Sequence, residues 1–80
     1  MATVHFYGAA KAAAGATALE ISAQTLGALI NELSDREAKL AELLPKCSYL
    51  LNSEACKDFD QLLNEGDQVD VLPQFAGGSN

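Results

Sequence analysis

Basic residues are scarce in this sequence: five lysines and arginines stand against eleven aspartates and glutamates, for a net charge of −6. That balance excludes nucleic acid as a partner, because phosphate backbones demand clustered Lys and Arg. It suits solubility and steering toward a basic partner surface. Cysteine is nearly missing too. Cys47 and Cys56 are too few for a disulfide scaffold in a reducing compartment. They flank the turn sequence Asn52-Ser53-Glu54. With Asn52-Ser53 as a two-residue loop, Cys56 lies opposite Tyr49 and Cys47 is only its diagonal neighbour. A diagonal Cα separation of roughly 7–8 Å exceeds disulfide geometry, so two free thiols are expected. There is no CxxC, and His5 is the single histidine, so no metal ligand set exists and no cofactor is expected. No apolar run approaches the roughly 20 residues that span a bilayer. The start, Met1-Ala2-Thr3-Val4-His5, lacks the basic segment of a signal peptide. No membrane partner is expected, and the cytoplasm is the default location.

What is present is enough for one small domain. Of 80 residues, 49% are hydrophobic, and a chain this size buries about 60% of its unfolded surface, so its core must be economical. Thr3-Val4-His5-Phe6-Tyr7 alternates as a strand, with Val4 and Phe6 on one face. The alanine-rich run from Gly8 to Gly15 holds either a helical turn or an irregular loop. Ala16 to Ser22 alternates again, with Leu19 and Ile21 inward, and the first two strands are expected to pair antiparallel. Then the period changes: Leu26, Leu29, Ile30 and Leu33 form the apolar stripe of a helix, with Thr25 as N-cap. Ser34 and Glu37 have the spacing of a capping box and predict a second short helix with Leu40, Leu43 and Leu44 on its apolar side. Pro45 stops that helix and biases Leu44 toward an extended conformation. Cys47 to Leu51 reads as a third strand, Ala55-Cys56-Lys57 as its short partner, and Asp60 to Asn64 as a helical turn. Glu65-Gly66-Asp67 is a tight turn with Gly66 at positive φ, and Gln68 to Leu72 is the last strand.

Two strands, a helix and returning strands define an α+β domain with one mixed sheet packed on one main helix plus a short second helix. The first and last strands lie side by side, parallel, in the middle. That is the β-grasp arrangement of ubiquitin-like proteins. We assign residues 1–75 to this domain and 76–80 to a flexible C-terminal arm. The arm carries the most telling feature, Gly77-Gly78. Residues without side chains fit where another protein's walls close on the backbone, which suits a chain whose own terminal carboxylate reacts.

The residues then resemble a known family. Val4-His5-Phe6-Tyr7, Leu50-Leu51-Asn52, Leu63-Asn64-Glu65-Gly66-Asp67-Gln68-Val69 and Leu72-Pro73-Gln74-Phe75-Ala76-Gly77-Gly78 are similar, in that order, to the MoaD/ThiS family of ubiquitin-like sulfur carriers. The length fits the small subunit of molybdopterin synthase better than the shorter thiamine-pathway carrier. The resemblance implies that an ATP-dependent, ubiquitin-activating-like enzyme adenylates the terminal glycine. Persulfide sulfur then replaces AMP to leave a thiocarboxylate. The sulfur passes to cyclic pyranopterin monophosphate on the large synthase subunit. Gly78 would carry the acyl group and Gly77 would give clearance. Such a chain is a carrier subunit rather than a catalyst on its own.

Two departures from the family pattern stand out. Ser79-Asn80 follow the glycines, so a trimming protease removes them, or they are an addition to the natural chain, or this copy is not a carrier as encoded. In the first loop, Lys11-Ala12-Ala13-Ala14-Gly15 replaces an Arg-Glu pair, and Lys lacks the bidentate fork of Arg. Strand parity gives the docking face: His5, Tyr7, Asp70 and Leu72 point away from the helix. Tyr7 and Leu72, extended by Pro73, Phe75 and Ala76, form an apolar partner-binding patch. The competing expectation is that Tyr7 and Phe75 fold over the sheet edge as satellite core. His5 is expected to be a surface strand residue and not a base. Outside the carrier class, the alternatives are a ubiquitin-like modifier, an interaction module without chemistry, and a carrier for thiamine- or cysteine-type pathways.

Overall fold

The structure, a computed structural model, describes residues 1–74. Its elements run β1 (Ala2–Phe6), α1 (Gly8–Ala14), β2 (Ala18–Ile21), α2 (Leu26–Arg36), α3 (Ala38–Leu43), a 3₁₀ turn (Leu44–Lys46), β3 (Cys47–Leu51), β4 (Glu54–Ala55) and β5 (Gln68–Pro73). The strands form one sheet in the order β2-β1-β5-β3-β4. β1 and β5 are parallel, with Val4 beside Val69 and Phe6 beside Val71, and the other pairings are antiparallel. This is the α+β, β-grasp architecture expected from the order of elements.

Alternation sets the core. Val4, Val69 and Val71 are fully buried, as are Leu26, Leu29 and Leu33 on the facing stripe of α2. Phe6, Ile21, Leu40 and Leu44 close the layer. Each such side chain contributes roughly 1.5–3 kcal/mol by leaving water. Thr25 caps α2 as its sequence position predicts: the Ala28 N–H donates to Thr25 Oγ1 at 3.1 Å. The alanine-rich run resolves as helix α1, which buries Ala10 and ends at Gly15 in the left-handed region.

Four local expectations are corrected. Ser34 lies inside α2, and the break comes at Glu37, which is extended and itself caps α3 by accepting from the Lys39 N–H. The spacing of Ser34 and Glu37 matched a capping box, but burial of Leu33 and Leu40 on either side fixes the turn three residues later. Leu44 is helical (φ −55, ψ −39), because Pro45 sits in the first turn of a 3₁₀ helix where its missing N–H costs nothing. The short partner strand is Glu54–Ala55 alone, although the Cys56 N–H still donates to the Tyr49 carbonyl at 3.0 Å. Residues 60–64 do not form a helical turn. They run along the start of α2, where the Gly27 N–H donates to the Phe59 carbonyl (2.8 Å), the Leu26 N–H to the Gln61 carbonyl (3.0 Å) and the Leu63 N–H to the Gln24 carbonyl (2.9 Å). The loop thus takes up donors that a helix start leaves open. A Cβ at Gly27 would lie 3.0 Å from the Phe59 carbonyl oxygen, so the approach depends on glycine.

The turns behave as read. Asn52 and Ser53 both have positive φ, 50 and 74, as a type I′ hairpin requires. Gly66 has φ 85. A polar clamp ties the two turns together: the Asn52 amide donates to Asp67 Oδ1 at 3.1 Å, and the Gln68 N–H donates to Asn52 Oδ1 at 2.9 Å. The Asn64 N–H donates to Asp67 Oδ2 at 2.8 Å, and this bond with the Asn52 amide holds the Asp67 carboxyl below its usual range.

Candidate functional site

β5 decides where the site falls. Its middle is covered on the helix side, and its end is only partly covered. Val69 and Val71 lie under the helices, while Leu72 and Pro73 are half-buried and Gln74 is exposed. β1 ends beside it, so Tyr7, the extended residue preceding α1, projects at the same edge with 43% of its surface exposed. The junction of α3 with β3 supplies a third wall, from Leu43 and Lys46. With Gly8 and Ala9 these residues enclose a largely apolar groove of about 590 Å³ beside the end of β5.

Of the partner-binding residues expected from the sequence, Tyr7, Leu72 and Pro73 therefore line one groove. Phe75, Ala76, Gly77 and Gly78, together with Ser79 and Asn80, lie outside the described residues. Strand parity also holds for His5, which is half-buried on the outer sheet face. Asp70 shares that outer face by parity, and it is nevertheless only 7% exposed. It sits on the central strand between His5 of β1 and Leu50 of β3, and Gln68 Nε2 donates to its Oδ1 at 3.2 Å. Neighbouring strands shield a short side chain even on a solvent face. Leu43 and Lys46 were missed as site residues. Sequence periodicity places Leu43 on the apolar side of a helix, and only the turn at Leu44–Lys46 brings its end to β5.

The rest of the surface offers less chemistry. A second groove, of about 620 Å³, runs between Ile30 of α2, Pro45 and the exposed Phe59 ring. Phe59 stacks edge-on against Tyr49, centroids 6.2 Å apart. The Tyr49 hydroxyl donates to the Leu44 carbonyl at 2.7 Å, and burial, aided by nearby Cys47, pushes the phenol well above its normal range. Both cysteines are free thiols, half-buried. Cys47 Sγ donates to the Leu43 carbonyl at 3.4 Å, and burial raises its pKa, which disfavours the reactive thiolate. Among the described residues, no group of three or more His, Cys, Asp or Glu is placed to hold a metal ion, and no helix is long and apolar enough to cross a membrane.

Five strands in this order, closed over a helix with a groove at the end of the last strand, define a ubiquitin-like protein. The ThiS family matches residues 4–78, and the chain belongs to that family of ubiquitin-like sulfur carriers. No curated protein matches the sequence. Among solved structures, it is similar to small archaeal modifier protein 1 from Methanosarcina acetivorans, at 19% identity and TM-score 0.87, over 96% of this chain and 95% of that one. A chain of the Amycolatopsis orientalis BexX/CysO complex matches at 21% identity and TM-score 0.79, over 98% and 100% of the two chains. At those identities the likeness is one of fold. A chain in the complex of subunits 1 and 2 of molybdopterin-converting factor from Helicobacter pylori matches at 26% identity and TM-score 0.73, over 96% and 97%.

Proposed function

We propose that this chain is the sulfur-carrier subunit of a molybdopterin synthase, with Gly78 as the reacting residue. The observation that carries the reading is the family match, which runs through the β-grasp body and ends on Gly78. In the proposed cycle the Gly78 carboxylate attacks the α-phosphorus of ATP in an adenylating enzyme, and pyrophosphate leaves. A persulfide sulfur of the donor attacks the acyl carbon and AMP leaves. Attack by a second donor thiol on the sulfur–sulfur bond then frees a thiocarboxylate. The body contributes no base to these steps. It holds the arm out and supplies Tyr7, Leu72 and Pro73, with Phe75 and Ala76 beyond them, as the docking surface for the adenylating enzyme and then for the large synthase subunit. The Helicobacter complex, in which subunits 1 and 2 of molybdopterin-converting factor are bound together, supports the second partnership. Because Ser79-Asn80 follow Gly78 in this sequence, a peptidase acts first. The cytoplasm, where such enzymes and ATP meet, is the proposed compartment.

Likeness to a small archaeal modifier protein favours a second reading, a modifier that forms isopeptide bonds through Gly78. The BexX/CysO likeness keeps a carrier for another pathway in view. Co-expression of the chain ending at Gly78 with the adenylating enzyme of the same genome separates carrier from modifier by intact mass. A trimmed chain that is heavier by the difference between sulfur and oxygen supports the carrier. Adducts on lysines support the modifier, and an unaltered chain contradicts both.

A further inference from the structure

The carrier reading leaves open what chemistry the partner presents to the groove at the end of β5. Resting on that reading, we infer that the groove receives an apolar segment of the adenylating enzyme flanked by a carboxylate, and that Lys46 is the residue selecting it. With a net charge of −6, the molecule as a whole steers toward basic surfaces. The groove departs from that field. Among the described residues its walls are the apolar side chains of Tyr7, Leu43, Leu72 and Pro73, no Asp or Glu lines it, and its single charge is Lys46. Among the described residues the ion pairs lie elsewhere, between the Met1 amine and Glu65 and between Arg36 and Glu32. Glu42, four residues before Lys46, forms no ion pair with it.

The backbone at Lys46 is also held in place. It closes the 3₁₀ turn after Pro45, and the next residue, Cys47, is registered against Pro73 at the end of β5. Its exposed side chain thus rises from the edge of an apolar wall, within reach of whatever docks there. A partner segment bringing a cation would meet like charge. A purely apolar one would strip water from the ammonium without pairing it. A carboxylate beside an apolar anchor satisfies both surfaces, and the penalty on the other two supplies specificity. The adenylating enzyme is therefore expected to combine a basic surround, which attracts the carrier, with an acidic residue at the contact itself.

The test uses the chain ending at Gly78, the adenylating enzyme of the same genome and ATP, with pyrophosphate release as the readout. Lys46→Glu should raise the KM for the carrier by about tenfold or more, as like-charge contact does, with kcat unchanged. Lys46→Arg should stay within about twofold of the parent, since it keeps the charge. Lys57→Glu makes the same change of net charge at an exposed position away from this groove, and should also stay within about twofold. Added salt should raise the KM of the parent chain and leave that of Lys46→Glu flat or lower it. Equal losses in Lys46→Glu and Lys57→Glu would assign the effect to net charge and overturn the inference. An unchanged KM in Lys46→Glu, with the parent active, would overturn it while the carrier reading stands. A parent chain that is never adenylated would bring down the carrier reading, and this inference with it.

Discussion

The two halves of β5 live in different surroundings. Val69 and Val71 have no exposed surface, with parallel β1 on one side and β3 on the other. Leu72 and Pro73, one and two residues further on, are only half-covered and border a groove that no element of the described chain fills. A strand that alternated simply between core and solvent would put polar residues on its outer positions. Here the outer residues are Gln68, then Asp70, which is short and shielded, and then Leu72, which is apolar and partly open. The comparison teaches that the middle of the strand is fixed by burial, whereas its end is left partly open beside a groove.

That contrast can be broken at either end. On the folding side, Leu29→Ala should cost about 2–5 kcal/mol in chemical denaturation, because the side chain is fully buried beneath the sheet. A loss below about 0.5 kcal/mol would remove α2 from the core and with it the support of β5. On the docking side, Tyr7→Ala should leave stability within about 0.5 kcal/mol, as expected for an exposed residue whose side chain makes no capping bond. The same substitution should weaken binding to the adenylating enzyme and the large synthase subunit by more than about 1 kcal/mol, measured by calorimetry. The reverse pattern would make Tyr7 part of the core and the groove a packing defect.

Far from both, Ser53→Gly should stabilise the domain by about 1 kcal/mol, because Ser53 holds φ 74 where glycine carries no steric penalty. Partner affinity should not move, and a change there would show that the hairpin turn belongs to the interface. The smallest effect is one of pH. Asp67 has its pKa lowered in the folded state by the Asn64 N–H and then by the Asn52 amide. Its contribution is therefore present above the unfolded carboxylate value and is lost as pH falls through the lower, folded one. Asp67→Asn should flatten that acid limb slightly in thermal melts taken across the range. An unchanged limb would assign the acid sensitivity to other carboxylates.

Much of this architecture is legible in the residues themselves. Alternation in β1 and β5 and the Leu26–Leu29–Leu33 stripe name the core, because burial demands a period of two in strands and of 3.6 in helices. Asn52-Ser53 and Gly66 mark turns by their tolerance of positive φ. The failures share a cause. Ser34, Leu44 and residues 60–64 were read from neighbours in sequence, whereas tertiary contacts fixed them: Leu40 against the core, Leu44 under Tyr49, and the Phe59 carbonyl on the start of α2. Of the candidate site, Tyr7 and Leu72 were legible by parity, while Gly77-Gly78 lie outside the described residues. Leu43 and Lys46 were not legible, since nothing in a helical period says where the end of that helix will sit relative to a strand almost thirty residues later.

The central claim is that the body exists to present Gly78 as a carboxylate for activation, and intact mass tests it most directly. The chain ending at Gly78 and the 80-residue chain are each incubated with the adenylating enzyme of the same genome, ATP and a persulfide donor. The shorter chain should gain the mass difference between sulfur and oxygen, and the longer one should remain unmodified until a peptidase has removed Ser79-Asn80. Modification of the 80-residue chain as fast as of the shorter one would place the chemistry away from Gly78 and contradict the account.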